Sequence, residues 1–239
     1  MRDQLFTDNK KGQTPFTFDA EVASVFDDMI ARSVPGYETL QACILRLVEQ
    51  SPSPRRLYDL GCSTGTTCQR LFPVLTPQDC YIGIDYSSDM LALAAQKNPS
   101  SSQINWIQHD LNTPFDFQLC STVIANLCLQ FLEPKHRLSL ITALYNALQP
   151  KGTLILVEKI EEEDSSLQSL FETLYHGFKS DQGYSTSEIR NKQAALANVL
   201  RPDTHATHLD RLAKAGFHHA GLFYKWGPFC LYVAIKEEI

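Results

Sequence analysis

Residues 57–65 read Leu-Tyr-Asp-Leu-Gly-Cys-Ser-Thr-Gly, and this stretch decides the fold of the chain. A short apolar strand ends there in a turn that carries Gly61 and Gly65. Twenty residues after Gly65, a second apolar strand ends on Asp85. Glycines at such a turn let the backbone approach a ligand, and an acid at the end of the second strand accepts hydrogen bonds from ribose hydroxyls. The pattern therefore predicts a ligand of the nucleoside type.

Strands and helices alternate through the middle of the sequence. Strands are predicted at Arg56–Asp59, Cys80–Asp85, Ile104–His109, Ser121–Ala125 and Thr153–Val157. The helices between them are predicted near Thr66–Leu71, Ser88–Gln96 and Pro134–Leu148. This alternation favours a parallel sheet that is covered on both faces. Pro150-Lys151-Gly152 predicts a turn before the fifth strand.

The pattern changes after Glu158. Helices and then two strands are predicted at Ser165–Lys179, Thr186–Val199, Thr204–Ala215, His219–Tyr224 and Phe229–Ala234. An antiparallel strand pair at the end of the chain, beside a parallel sheet, is typical of the methyltransferase version of the α/β fold. We therefore predict a Rossmann-like S-adenosylmethionine-dependent methyltransferase fold, with a mainly parallel sheet, a C-terminal antiparallel strand pair and added helices.

The chain divides into two predicted parts. Residues 1–55 form an N-terminal arm and helices, and residues 56–239 form the α/β domain with a helical insertion at about 163–216. Residues 1–19 are polar and are predicted to be an arm. Two helical patterns, Ala20–Ala31 and Glu38–Glu49, follow this arm.

Composition narrows the classes of function. A net charge of −6 without a Lys/Arg cluster argues against direct binding of nucleic acid. No apolar run approaches the roughly 18–20 residues that span a bilayer. The polar start of the chain leads into no apolar signal segment, and seven cysteines without a CxxC pair favour reduced thiols. We expect a cytoplasmic protein that does not bind membranes.

The turn favours one class of nucleoside ligand over another. Ser63 stands where a dinucleotide fingerprint has its middle glycine, which disfavours NAD and FAD because their pyrophosphate needs close backbone approach. S-adenosylmethionine has no phosphate, so the turn need only hold its amino-acid end. Asp85 would then bind the ribose, Asp110 the adenine amino group, and Asn126 would border the pocket near the sulfonium.

Four segments resemble the bacterial carboxy-S-adenosyl-L-methionine synthases. They are Ser33-Val34-Pro35-Gly36-Tyr37, residues 58–63, residues 129–134 and Gly183-Tyr184-Ser185. The resemblance implies a methyltransferase-like homodimer that moves a carboxyl group from prephenate to the methyl carbon of S-adenosylmethionine. Phenylpyruvate is released, and a second enzyme uses the carboxylated cofactor on the wobble uridine of transfer RNA. The expected partner is prephenate or another small anionic substrate.

The resemblance also implies the cofactor contacts. By matching position they are Tyr37, Gly61, Cys62, Ser63, Asp85, Tyr86, Asp110, Leu111 and Asn126. One position departs from the family: Gln193 stands where an arginine is expected to hold the new carboxylate. An amide lacks the charge and the bidentate fork of arginine. Arg190 or Lys192 are candidates to compensate, and Arg32 is a further candidate to meet an anionic substrate.

Other readings stay open. An ordinary methyltransferase that acts on a small molecule fits Gln193, and so does intramolecular cyclisation of S-adenosylmethionine with release of methylthioadenosine. A non-catalytic cofactor-binding protein is the third alternative. The pair His205 and His208 lacks an acid or cysteine to complete a metal site, so we expect no metal and interpret these histidines as surface or capping residues. Cys62 is expected to pack rather than to act as a nucleophile.

Overall fold

The sheet that the sequence predicts is present, and it orders the rest of the molecule. The computed structural model describes residues 1–7, 12 and 14–238. Its strands are β1 (Arg56–Leu60), β2 (Cys80–Asp85), β3 (Ile104–Gln108), β4 (Cys120–Asn126), β5 (Leu148–Glu161), β6 (Asp203–Thr204), β7 (His219–Trp226) and β8 (Phe229–Ile235). They lie in the order β3-β2-β1-β4-β5-β8-β7, and the short β6 pairs with β5.

The helices cover both faces of this sheet. They are α1 (Ala20–Ser33), α2 (Tyr37–Glu49), α3 (Thr66–Leu71), α4 (Ser88–Lys97), α5 (Pro134–Ala147), α6 (Ser165–Asp181), α7 (Thr186–Leu196) and α8 (His205–Ala215). Leucines of α5 and α8 pack against one face, and apolar residues of α2 pack against the other. In the described residues, no helix has both the length and the apolar run needed to cross a bilayer.

The sheet confirms the predicted fold class. β1 pairs in parallel with β2 and β4, and β4 pairs in parallel with β5. β8 pairs antiparallel with both β5 and β7, so the C-terminal hairpin completes the sheet. Because β1, β2, β4 and β5 run in parallel, their carboxyl ends lie along one edge of the sheet, where open α/β sheets bind ligands.

The turn predicted at Pro150-Lys151-Gly152 is wrong. β5 begins at Leu148 and runs through these residues as one strand with a bulge, where Lys151 has a φ of 63°. The N–H of Lys151 donates to the carbonyl of Lys236, and the N–H of Lys236 donates to the carbonyl of Gly152. These two bonds hold the segment in the sheet despite its turn-forming composition.

The N-terminal segment is not a free polar arm. Phe6 and Phe16 are buried among residues of α1, α4 and α7. The phenol of Tyr184 donates a hydrogen bond of 2.6 Å to the buried carboxylate of Asp3. Part of the predicted arm, residues 8–11 and 13, lies outside the described residues. The described part packs because the aromatic side chains of this mostly polar segment contact an apolar surface formed by the helices.

Candidate active site

A cavity of about 520 Å³ opens at the carboxyl ends of the parallel strands. Residues that follow β1, β2 and β4 form its floor, and the N-terminal segment with α1, α6 and α7 forms its walls. All nine residues predicted to contact the cofactor line this one cavity: Tyr37, Gly61, Cys62, Ser63, Asp85, Tyr86, Asp110, Leu111 and Asn126. The structure thus brings together positions that lie far apart in the sequence.

The glycine-bearing turn adopts the conformation that its composition favours. Gly61, Ser63 and Gly65 have φ values of 66°, 48° and 75°. A side chain at Gly61 would also place its Cβ 3.0 Å from the sulfur of Cys128. Positive φ and close approach together require glycine there. The backbone can therefore pass close to a ligand in the cavity.

Asp85 ties the end of β2 to this turn. One carboxylate oxygen accepts the N–H of Ser63 at 2.9 Å, and the other accepts the N–H of Ser87 at 2.9 Å. The side chain is only 6 % exposed, and burial raises its pKa against the effect of these bonds. A carboxylate offers about four acceptor positions. Those that remain can accept from a pair of hydroxyls on a ribose.

Asn126 and Asp110 border the same cavity on either side of Asp85. The Oδ1 atom of Asn126 is buried and has no hydrogen-bond partner in the described part of the chain. Such an atom is costly unless a ligand or water donates to it. Asp110 uses one oxygen to accept the N–H of Asn112 at 2.9 Å. Its second oxygen accepts no hydrogen bond from the described residues and is available to a ligand in the cavity.

Aromatic side chains cover the cavity. Phe18 packs edge-on against Phe131, with ring centroids 5.1 Å apart, and against Tyr86 at 6.0 Å. Phe16 and Phe26 line the cavity beside it. We did not predict Phe16, Phe18 or Phe26 from the sequence, although three aromatics in an otherwise polar segment with its first helix were a visible signal. They shield the cavity from solvent.

The far end of the cavity carries positive charge. Lys159, Lys179 and Lys192 line it. The ammonium groups of Lys159 and Lys179 lie 5.2 and 4.3 Å from the centre of the Tyr175 ring. Burial, and then the neighbouring lysines, lower the pKa of Lys179 to about 7, and burial lowers the pKa of Lys192 to about 8. This end suits an anionic ligand.

One face of α6 builds this wall. Glu172, Tyr175, His176 and Lys179 all line the cavity. The last three follow Glu172 by three, four and seven residues, which places all four on one side of the helix. The sequence showed this polar stripe, but it was not assigned to the site. Glu172 accepts a hydrogen bond from Gln168 at 2.6 Å and forms no ion pair within the described residues.

The predicted carboxylate candidates separate in the structure. Gln193 lines the cavity beside Lys192. Arg190 is exposed and does not line it. Arg32 also lies outside the lining, because its guanidinium donates to Asp28 and to the carbonyl of Gln182 and stacks on Tyr184. The charge at this end comes from Lys159, Lys179 and Lys192, of which only Lys192 was predicted from the sequence.

Two buried carboxyl groups support the floor of the cavity. Glu158 accepts the backbone N–H groups of Cys128, Leu129 and Gln130, at 2.7–3.1 Å. Burial nevertheless raises its pKa to about 8. Asp59 lines the cavity directly, accepts a hydrogen bond from Tyr81, and has its pKa raised to about 7 by burial. Glu158 therefore fixes the loop after β4, which carries cavity residues, and Asp59 links β1 to β2 through Tyr81.

The residues considered for other chemistry have structural surroundings. The thiol of Cys62 is buried, and burial raises its pKa well above the usual value, which disfavours nucleophilic attack. His208 is buried rather than at the surface, because it packs on Tyr232 beside Arg211. Among the described residues, no group of three or more His, Cys, Asp or Glu side chains could hold a metal.

Comparisons with known proteins agree with this geometry. A family model for a methyltransferase domain matches residues 57–152. A carboxy-S-adenosyl-L-methionine synthase from Methylococcus capsulatus is 37% identical over 98% of this chain and 99% of its own length. One from Campylobacter jejuni subsp. doylei is 40% identical, over 99% of this chain and all of its own length.

Solved structures share the fold at low sequence identity. Human N-acetylserotonin methyltransferase in complex with SAM matches with a TM-score of 0.62 and 12% identity, over 98% of this chain and 58% of that one. An S-adenosylmethionine-dependent methyltransferase from Mesorhizobium loti gives a TM-score of 0.59 at 17% identity, over 82% of this chain and 98% of that one. These likenesses establish the fold.

Proposed function

We propose that this chain, which belongs to the carboxy-S-adenosyl-L-methionine synthase family, binds S-adenosyl-L-methionine and transfers a carboxyl group to its methyl carbon. One observation carries the proposal. A single cavity joins the residues that suit an adenosyl ligand to three lysines that suit a carboxylate. An enzyme that carboxylates this cofactor needs both.

The proposed carboxyl donor is prephenate. Its ring becomes aromatic when it loses carbon dioxide and hydroxide, which gives phenylpyruvate. The hydroxide takes a proton from the methyl group beside the sulfonium and leaves as water. The methyl carbon then bonds to the carbon dioxide. This route needs no protein group as base. The buried carboxyl groups of Asp85 and Glu158 accept backbone N–H groups, and that of Asp59 accepts the phenol of Tyr81.

The chain contributes positioning, charge and exclusion of water. Asp85 would hold the ribose, and the unpaired oxygen of Asn126 would accept a hydrogen bond from the ligand near its reacting end. The cover around Phe18 would keep carbon dioxide in the cavity until it reacts. The lysines would bind the carboxylates of the donor and of the product.

One observation favours a second function. Gln193 lines the cavity where the resemblance leads us to expect an arginine, and an amide provides no positive charge for a new carboxylate. An ordinary methyltransferase acting on a small molecule would not need that charge. Intramolecular cyclisation of S-adenosylmethionine would not need it either.

A mass measurement separates these functions. The protein is incubated with S-adenosylmethionine, with and without prephenate, and the mass of the cofactor is followed. Gain of one carboxyl group only with prephenate is the expected result. Methylthioadenosine formed without any second substrate supports cyclisation, and an unchanged cofactor contradicts carboxyl transfer. Gln193→Arg tests whether this position limits the rate.

The product has a proposed destination. We propose that the carboxylated cofactor serves a separate enzyme that modifies the wobble uridine of transfer RNA. The net charge of −6 supports this division, because this chain would handle small anions and leave RNA to the second enzyme. The seven cysteines are all free, which supports a cytoplasmic location.

We also propose a homodimer. Leu167, Leu170 and Leu174 form an exposed apolar stripe on α6, on the side away from the cavity-lining residues. Leu222 and Phe223 are exposed on the edge strand β7. Sedimentation analysis should give a mass twice that of the chain, and Leu170→Glu should shift it to that of one chain. A monomeric wild-type protein contradicts the proposal.

A further inference from the structure

The lysines at the far end of the cavity form no ion pair within the described residues. Lys159 and Lys179 make neither an ion pair nor a side-chain hydrogen bond with any residue in the described ranges. The ring of Tyr175 faces both ammonium groups, and the carboxylate of Glu172 is a counter-charge that the two lysines share. The side chain of Lys179 is 8 % exposed. An ammonium has three donors. A group buried to this extent is normally paired.

This arrangement lowers stability in the free protein. Burial lowers the pKa of Lys159, and both Lys159 and Lys192 contribute to the lowered pKa of Lys179. Attraction to the Tyr175 ring offsets only part of the cost of removing water from the two ammonium groups. Like charges that are held together in a cavity are typical of a binding site.

Two hydrogen bonds to Ser33 hold the cluster in place. The phenol of Tyr175 donates to the backbone carbonyl of Ser33 at 2.8 Å. The ammonium of Lys192 donates to the hydroxyl of the same serine at 2.9 Å. The end of α1 therefore fixes the wall from α6 relative to the lysine from α7. Lys159 and Lys179 therefore lie at the ring of Tyr175, and Lys192 lies at the hydroxyl of Ser33.

The charges at this end indicate how many anionic groups a ligand should bring. The lining there contains three lysines and one carboxylate, that of Glu172, and also the imidazole of His176. Burial, and then the neighbouring Lys179, lower the pKa of His176, which favours its uncharged form. Among the lining groups at this end, a net excess of two positive charges remains when the lysines are protonated. Behind the lining, Asp3, Asp28 and Arg32 also act on Lys192. Apolar side chains such as Phe229 and Val34 complete the wall.

We propose that Lys159, Lys179 and Lys192 form a receptor for a small molecule with two carboxylate groups. Lys159 and Lys179 bind one carboxylate beside Tyr175, and Lys192 binds the other beside Ser33. The inference rests on the proposed function, because it assigns the carboxyl donor to this end of the cavity. It adds which residues select a dicarboxylate.

The test measures binding without turnover. The protein is saturated with S-adenosylhomocysteine, which lacks the acceptor methyl group, and is titrated with prephenate in a calorimeter. Lys179→Met should raise the Kd of prephenate by about tenfold or more, as expected for loss of a charge-assisted hydrogen bond. It should change the Kd of S-adenosylhomocysteine by less than about threefold, because that ligand occupies the other end.

Two further variants distinguish recognition from packing. Lys179→Arg keeps the charge and should retain most of the affinity for prephenate. Lys192→Met should narrow the preference for prephenate, which has two carboxylates, over phenylpyruvate, which has one. The matched control is Lys214→Met, because Lys214 is exposed and pairs with Asp210 on α8.

Thermal unfolding separates a binding role of Lys179 from a structural role, because a structural role predicts that Lys179→Met lowers the Tm. Lys179→Met should keep or raise the Tm of the free protein, because it removes a buried charge that forms no ion pair within the described residues. A lowered Tm together with an unchanged Kd for prephenate would overturn the inference. Failure of the wild-type protein to bind prephenate more tightly than Lys179→Met does would also overturn it.

The outcomes separate this inference from the proposed function. Lysine-dependent binding of prephenate without carboxylation of S-adenosylmethionine refutes carboxyl transfer and leaves the receptor standing. Carboxylation at the wild-type rate and the wild-type KM for prephenate by Lys179→Met refutes the receptor and leaves carboxyl transfer standing.

Discussion

Asp85→Asn is expected to remove most of the affinity for S-adenosylmethionine. In the structure, Asp85 is almost fully buried, accepts the N–H groups of Ser63 and Ser87, and keeps acceptor positions toward the cavity. Asparagine has one acceptor oxygen and one donor NH₂ group in place of two acceptor oxygens. The variant therefore loses the charged acceptor for the ribose. In addition, its NH₂ group faces either the ribose hydroxyls or one of the two backbone N–H groups, where an acceptor is needed.

The expected loss follows from these contacts. A hydrogen bond to a charged group contributes about 1.5–3 kcal/mol, and the replacement weakens more than one such bond, so we expect a loss of about 2–4 kcal/mol. This corresponds to a Kd for S-adenosylmethionine that is about 30-fold to 700-fold higher. Calorimetric titration of the purified variant measures it directly.

A matched control distinguishes the loss of a ribose contact from the general effect of removing one negative charge. Asp116→Asn makes the same change at an exposed carboxylate outside the cavity lining, and it should leave the Kd within about twofold of the wild type. Circular dichroism should show that both variants are folded. A folded Asp85→Asn variant that binds S-adenosylmethionine within about threefold of the wild type would refute the assignment of Asp85 to the ribose.

Three further predictions follow from the same contacts. Glu158→Gln should lower the free energy of unfolding by about 1–3 kcal/mol in urea denaturation, since an amide cannot accept all three N–H groups that Glu158 accepts; unchanged stability would contradict this. Gly61→Ala should reduce binding of S-adenosylmethionine, because alanine is strained at a φ of 66° and its Cβ would approach Cys128. A calorimetric Kd equal to that of the wild type would contradict this prediction. The pKa of Lys179 is about 7, so the free site loses its charge as the pH rises through 7, whereas a bound carboxylate keeps Lys179 protonated. Lys179 should therefore raise the Kd for prephenate about fivefold from pH 7 to pH 8, and Lys192, whose pKa is about 8, should add a factor of about two, so the wild type should show a rise of about tenfold. Lys159, Lys192, Glu172 and His176 face the same site and remain in both proteins. Lys179→Met should show a much smaller rise, and an equal rise in both proteins would contradict the assignment to Lys179.

The fold and the cofactor end of the site could be predicted because their signals are local. Each apolar run ends at or next to a residue of the site, as with Gly61 directly after β1 and Asp85 at the end of β2. Parallel strands bring their carboxyl ends to one edge, so order along the chain becomes proximity in space. The positions of these residues therefore followed from the pattern of strands alone.

The anionic end could not be predicted in the same way. Lys179 belongs to a polar stripe on α6, and periodicity alone does not say whether such a stripe faces solvent or a cavity. The packing of Tyr175 against Phe229, with ring centroids 5.5 Å apart, decides this, and those residues lie in different elements. Phe18 was not predicted for a related reason, because the residue that it packs against, Phe131, is distant in the sequence.

The bulge in β5 shows a third way in which sequence patterns fail. Pro150 and Gly152 favour a turn locally. Pairing with Lys236, near the end of the chain, keeps the segment in the sheet as a bulge instead. Contacts between distant segments therefore override local composition at Pro150–Gly152 and also place Lys179.

The most direct test of carboxyl transfer follows the carboxyl carbon itself. Prephenate with a heavy-carbon label in the ring carboxyl group is incubated with the protein and S-adenosylmethionine, and the recovered cofactor is analysed by mass spectrometry. We expect the label on the methyl carbon's new carboxyl group, in amounts equal to the phenylpyruvate released. Release of phenylpyruvate with no label in the cofactor, or no release at all, would contradict the account.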